Sequence, residues 1–170
     1  MTGVQTCALP ICFPVTIGVD GSKLEALAKK AEKNRAEAEK KVQEILGSDL
    51  NPRSPKQVKE ALEKRGLKLK STDEVALVMS GDAAAELVLK SRTAEKRAQM
   101  IAAYREAVGP DGRIHAEFDP LGAATGRFSC REPNLQNVGR DVEMRSCFVA
   151  APKHILVIAD YSQVELRVAA

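Results

Sequence analysis

The sequence has no tryptophan, two tyrosines and four phenylalanines. So few aromatics exclude a platform of stacked rings for single-stranded nucleic acid. Long apolar runs are missing too: no stretch approaches the roughly 18 residues needed to cross a bilayer. Four cysteines, at 7, 12, 130 and 147, show neither paired zinc spacing nor a dense disulfide framework. Charge of one sign is scarce in excess. Lys and Arg number 26 against 23 Asp and Glu, a net charge of +3, which excludes a polybasic protein but leaves room for local basic patches. Apolar residues make up 44% of the 170, enough to pack a core in one ordinary domain or two small ones. A charged fraction of 29% points to exposed helices.

Met1 to Ile11 reads M-T-G-V-Q-T-C-A-L-P-I and resembles the conceptual translation of a sequencing-library adapter. As a secretory signal it fails: it has no basic start, and Pro10 interrupts an already short apolar stretch. Residues 1–12 are therefore set aside from the fold as an adapter-derived artefact, and Cys7 and Cys12 go with them. Cys130 and Cys147 read as small buried hydrophobes in a reducing compartment. The other end stops inside an apolar helical pattern, V-E-L-R-V-A-A, so both ends are read as accidental cuts.

Four helix starts are legible. Ser22 to Glu25 has the form of a capping box, followed by Leu24, Leu27, Ala31, Ala38, Val42 and Ile45 at helical spacing and a stop at Gly47. Ser54-Pro55-Lys56-Gln57 is a second box, with proline where its missing amide is harmless. Val58, Ala61 and Leu62 face inward there, and Gly66 ends the helix. Ser71 to Glu74 opens a third. A fourth runs from about Ala83 to Val108, with Leu87, Val88, Ala94, Ala98, Ile101 and Ala102 inward, and Tyr104 as helix packing. Gly109-Pro110-Asp111-Gly112 breaks the pattern.

Beyond that turn the period becomes two. Arg113 to Phe118 alternates as a half-buried strand, with Ile114, Ala116 and Phe118 on one face. Thr125 to Ser129 is expected as a second short strand, Asn134 to Gly139 as loop, and Asp141 to Arg145 as one helical turn. Ile155 to Ala159 is a continuous apolar run, the pattern of a central strand buried on both faces, and Ser162 to Ala170 begins a helix. Between 50 and 70, Arg53, Lys56, Lys59, Lys64, Arg65, Lys68 and Lys70 outweigh Glu60 and Glu63, a net of +5. That exceeds the excess of the whole chain. A hairpin carrying it can track phosphates; as a solvated helix face it has an equally ordinary explanation. His115 and His154 have no partner pattern and read as structural.

Asp160 leaves the predicted strand at its carboxyl end, where open sheets commonly place ligands. A lone carboxylate there can hold Mg²⁺, although phosphoryl chemistry usually needs a second. Asp160-Tyr161-Ser162-Gln163-Val164-Glu165-Leu166-Arg167 closely resembles a catalytic motif of the family A (bacterial Pol I-like) DNA polymerases. Thr125-Gly126-Arg127-Phe128-Ser129 with Pro133-Asn134-Leu135-Gln136-Asn137 resembles the family's palm segment just upstream. Asn51 to Gln57 resembles a thumb segment, Ser71 to Glu74 a later thumb helix start, and Phe13-Pro14-Val15 the chain entering the thumb.

The resemblance implies an α+β fold: a helical thumb at 13–108, then the first strands of a palm sheet at 109–170, truncated. It implies a nucleotidyltransferase serving DNA replication and repair, with primer–template DNA and a dNTP as partners. A monomer in the cytoplasm, associated with the nucleoid and with no membrane, is expected. Asp160, with the Tyr161 carbonyl, would hold two Mg²⁺ ions together with a second carboxylate. Tyr161 and Gln163 would line the nucleotide pocket, and Glu165 would be a steric gate against a 2′ hydroxyl. Arg127, Asn134, Gln136 and Asn137 would meet the minor groove of primer–template, and Ser54, Lys56 and Gln57 the duplex phosphates.

Plainer roles compete. Glu165 also completes a capping box with Ser162, Gln136 and Asn137 are turn formers, and Ser54 is an adequate N-cap. The sequence departs from the family at Val138-Gly139-Arg140-Asp141, where a proline is common near Gly139, and Arg140 receives no role. Cys130 stands where a second serine is often seen. The family's fingers helix and its His-Asp-Glu palm motif match nothing in the 170 residues, so this chain is expected to be inactive alone. Two other classes remain: a non-catalytic nucleic-acid-binding module acting through the basic hairpin, and a single-subunit RNA polymerase relative, against which Glu165 argues. The strand ending at Asp160 has no evident sheet neighbour, and residues 140–170 are expected to be less ordered than 20–108.

Overall fold

The computed structural model describes residues 15–139, 141–158 and 162–169, with backbone alone at 15, 164 and 165. The adapter-like segment and Phe13-Pro14 lie outside the described residues. The chain divides into two compact units, Ser22–Glu106 and a second made of the segments before and after it.

In the first unit, two long helices, α1 (Gly21–Leu46) and α4 (Ala83–Glu106), run antiparallel. Ion pairs mark the register: Arg105 meets Glu25 at 3.5 Å, and Arg35 meets Glu95 at 3.3 Å. Leu24, Leu27, Ala31 and Val42 are buried on α1, in keeping with the 3.6-residue period. α1 begins at Gly21, so Ser22 lies inside its first turn rather than capping it. It ends before Gly47, whose φ of 123° is open to glycine and strained for other residues. Ile45, expected inward, is 44% exposed, and Leu46 packs on the core in its place.

Between the long helices lie two short ones, α2 (Pro55–Lys64) and α3 (Glu74–Met79). Ser54 caps α2 through the amide of Gln57, but the box is not reciprocal: Gln57 Oε1 accepts the amide of Asn51 at 2.8 Å. α3 is capped by Asp73, not Ser71; the Ser71 hydroxyl donates to Asp73 Oδ2 at 2.5 Å. That bond and the Ala76 amide hold the Asp73 carboxyl below the usual carboxylate range. Asp82 Oδ1 accepts the amides of Ala84 and Ala85 at the start of α4. Val42, Leu50, Val58, Leu62, Leu77, Ala84, Ala85 and Val88 form one buried core that ties the four helices together. α4 ends at Glu106, two residues before the expected Val108, which instead belongs to the sheet unit and bridges there to Ile114.

The second unit is a four-stranded antiparallel sheet in the order β3-β2-β1-β4. Its strands are β1 (Val15–Val19), β2 (Arg113–Asp119), β3 (Ser129–Arg131) and β4 (Phe148–Val149). β2 alternates as its sequence requires: Ile114 and Ala116 are buried, Phe118 is half-buried, and His115 and Glu117 are exposed. Val15–Val19 belongs to this sheet and not to the helical arm; its Ile17 lies opposite Ile114. Gly18 is required where β1 meets β4, since a Cβ there would stand 2.8 Å from the carbonyl oxygen of Val149. The Gly109–Gly112 turn closes with Gly112 at φ 71° and an Asp111–His115 contact of 2.8 Å, which gives His115 a partner. His154 takes a local one, the Pro152 carbonyl oxygen. Cys130 and Cys147 are free and buried. α5 (Val142–Arg145), capped by Asp141, is the expected single turn, and α6 (Val164–Ala169) follows the octapeptide's start.

Two strand expectations are corrected. Thr125 to Phe128 is turn and irregular backbone, and pairing starts only at Ser129, opposite Asp119. Ile155 to Ile158 forms no strand, and its side chains are 77%, 51%, 49% and 85% exposed. An apolar run becomes a central strand only with hydrogen-bonding neighbours, and among the described residues none flanks this one.

Leu62→Ala should destabilise the helical unit by about 2–5 kcal/mol, because it opens a cavity in a closed core. Ile45→Ala, on the exposed side of α1, should stay within about 0.5 kcal/mol of zero; urea unfolding curves of both variants check the contrast. Backbone amides of 155–158 should exchange within the earliest time points of a hydrogen-exchange series, while those of Ile114 and Ala116 remain protected.

Candidate nucleic-acid interface

The sequence-predicted residues fall in three segments of the chain. The first is the turn from Asn51 to Gln57 in the helical unit. Asn51 organises it: its carbonyl oxygen accepts the Ser54 amide at 3.0 Å, and its Oδ1 accepts the Arg53 amide at 2.9 Å. Ser54 Oγ accepts the Gln57 amide at 3.4 Å. Ser54 and Gln57 thus shape the turn, while Lys56 projects from it, exposed. α4 holds the turn from behind. Arg92 Nε donates to the Pro52 carbonyl at 3.0 Å, and its Nη1 donates to the Thr72 carbonyl, joining the starts of α2 and α3. Burial pulls the Arg92 pKa down, yet a guanidinium keeps its charge. Arg53, Lys56, Lys64, Arg65, Lys68 and Lys70 are exposed; Lys59 is half-buried and pairs with Glu63 at 3.9 Å. This face presents phosphate-binding chemistry without base-reading geometry.

The second surface belongs to the sheet unit. Gln136 Nε2 donates to the Phe128 carbonyl at 3.0 Å, so the segment carrying Arg127 and the short 3-10 turn Leu135–Asn137 lie side by side. Asn134 caps that turn by accepting the Gln136 amide at 3.0 Å. Cys130 supports it from below: its sulfur accepts the Leu135 amide at 3.3 Å and lies 3.5 Å from the Pro133 carbonyl oxygen. Arg127, Asn134, Gln136 and Asn137 are all exposed. A cluster of amides and one guanidinium can donate to the acceptors on minor-groove base edges.

The third is the octapeptide. Asp160 and Tyr161 lie outside the described residues, and the Glu165 side chain is not described. Gln163 is exposed, with φ 55° in the left-handed region that few non-glycine residues adopt. Among the described residues, no group of three or more His, Cys, Asp or Glu is placed to hold a metal ion.

The family model for DNA polymerase family A matches residues 21–170. The chain belongs to DNA polymerase family A. A DNA polymerase I of Aquifex aeolicus is 37% identical over 169 residues, covering 93% of this chain and 28% of that protein. One from Deinococcus radiodurans is 32% identical, covering 91% of this chain and 18% of that protein. Among solved structures, the polymerase domain of Pol1 from M. smegmatis, in complex with DNA primer–template and dNTP, superposes with a TM-score of 0.78 at 30% identity. That superposition covers 89% of this chain and 30% of the other. The chain therefore spans less than a third of the length of these family A relatives. The α+β expectation holds, as helices with a small antiparallel sheet matching part of a family A polymerase domain.

The sequence pattern alone does not mark Arg92 and Cys130 as supports of these surfaces. Asn51 alone left a trace, as a turn former just ahead of a cap. Arg92 acts across 40 residues of sequence, and no local pattern announces such a bond.

Proposed function

We propose that this chain is the thumb and the beginning of the palm of a DNA-templated DNA polymerase. Family membership running from residue 21 through the Asp160–Arg167 octapeptide carries the proposal. In the complete enzyme the primer 3′ oxygen bonds to the α-phosphorus of a dNTP, and pyrophosphate leaves. The chain's own share is mainly to hold and orient. Arg127, Asn134, Gln136 and Asn137 donate to minor-groove acceptors, which occupy similar positions in every base pair, so they test pair shape without reading sequence. Lys56 meets a duplex phosphate, and Ser54 and Gln57 fix the turn that presents it. Tyr161 and Gln163 line the nucleotide pocket. Glu165 fills the space a 2′ hydroxyl would need, which also disfavours the RNA polymerase alternative.

The Asp160 carboxylate and Tyr161 carbonyl are hard oxygen donors of the kind Mg²⁺ takes, and they would hold it together with a second carboxylate that no motif in these 170 residues matches. Two such ions, when bound, lower the pKa of the primer hydroxyl and neutralise charge on the transferring phosphoryl group. The enzyme works as a monomer in the cytoplasm, on nucleoid DNA. In support, the chain is similar to a DNA polymerase I of the bacterium Aquifex aeolicus.

The isolated 170-residue chain should bind primer–template duplex without extending it. Gel-based primer extension with Mg²⁺ and all four dNTPs should give no product; measurable extension would overturn the reading that these 170 residues lack the second metal-holding carboxylate. In a full-length polymerase containing this segment, Glu165→Ala should admit ribonucleotides while DNA synthesis persists. Unchanged sugar selectivity, read from single-nucleotide incorporation of dNTP against rNTP, would remove Glu165 from the gate.

A further inference from the structure

Arg53 directly precedes the α2 cap, on a backbone pinned from two sides. Its own amide donates to Asn51 Oδ1 at 2.9 Å, and the neighbouring Pro52 carbonyl accepts from Arg92 at 3.0 Å. What its guanidinium does is therefore a matter of the side chain alone. Nη1 of Arg53 lies 3.3 Å from Glu95 Oε1, with the arginine side chain 64% exposed and the glutamate 17%. Glu95 does not depend on that contact. Arg35 Nη1 sits 3.3 Å from its Oε2, and Gln99 Nε2 donates to Oε1 at 2.7 Å. Departure of Arg53 leaves no buried charge without a counter-ion. The cost of its leaving is that of an exposed ion pair, at most about a factor of five in an equilibrium constant.

We propose that Glu95 is an internal competitor for Arg53. Its carboxylate occupies the guanidinium that would otherwise meet a DNA backbone phosphate beside Lys56, and it thereby holds the affinity of this surface for duplex below what its cations could give. Carboxylate and phosphate draw on the same arginine fork, so the two anions exclude each other at the shared donors. When duplex binds, Arg53 swings from Glu95 to phosphate while Arg35 and Gln99 stay on Glu95. The inference rests on the basic turn being a DNA-binding surface, as proposed above.

The test is binding of a fluorescently labelled primer–template duplex to the 170-residue chain, by anisotropy at low salt. It compares the unaltered chain, Glu95→Gln, Arg53→Ala and the double variant. Glu95→Gln should tighten binding about two- to fivefold, and the gain should vanish in the Arg53→Ala background. Glu39→Gln, which removes a carboxylate 3.6 Å from Arg35, should leave affinity unchanged. Equal tightening in both arginine backgrounds would mean a general field effect and would overturn the proposal, as would no tightening at all. Independently of any substitution, the Arg53 guanidinium NMR signal should move when duplex is added while that of Arg35 does not; movement of both or of neither contradicts the exchange. Should neither the unaltered chain nor any variant bind duplex, the DNA-binding surface itself is refuted, an outcome separate from binding that ignores Glu95.

Discussion

The burial of Val58 and Leu62 is the constraint on which the helical unit depends. α2 is ten residues long and rich in lysine and glutamate, too short to persist in water by its own hydrogen bonds. It holds because those two side chains are removed from solvent against Val42, Leu77 and Val88. Burying each is worth about 1.5–3 kcal/mol. Ser54 and Pro55 decide where the helix begins, but the core decides that it exists. The same core fixes the turn before it, because α4 contributes both Val88 to the interior and Arg92 to the Pro52 carbonyl. Packing and presentation of the basic face are thus carried by one helix, on adjacent turns.

In the sheet unit the corresponding constraint is a close backbone approach. β4 has only two residues, and it joins the sheet because Gly18 lets β1 come within reach of Val149. The sheet brings Phe118 opposite Cys130, and the Cys130 sulfur then supports the turn that displays Asn134, Gln136 and Asn137. A residue expected as a plain hydrophobe is also a hydrogen-bonding support for the proposed DNA-facing loop. Gln136 joins both roles, as a turn residue and as the bond that sets the Arg127 segment beside it. Ordinary turn chemistry and the proposed contact with DNA are compatible at such positions, because the bonds that shape the turn leave these side chains exposed.

Charge follows a similar logic. The net +5 between 50 and 70 is largely a solvated face, and its cations differ in what restrains them. Lys56 projects unburdened by any ion pair among those described, Lys59 leans on Glu63, and Arg53 is drawn back to Glu95. Summed charge describes attraction at a distance, whereas the local partners decide which cation is ready to meet a phosphate.

Features that depend on neighbours within a few residues are legible in the linear pattern. The α2 cap at Ser54, the stop at Gly47, the alternation of Ile114 and Ala116 and the turn at Gly109–Gly112 all rest on local backbone preference and short-period burial. The family resemblance is legible there too, because its motifs are short and contiguous. The remaining features arise from contacts between distant segments. Val15–Val19 pairs with β2 and β4, about 100 and about 130 positions away, Arg92 reaches back 40 residues, and Ile155–Ile158 stays exposed despite the composition of a buried strand. Strand pairing and long-range hydrogen bonds need a partner, and a stretch of sequence states its own preference without stating whether that partner is there.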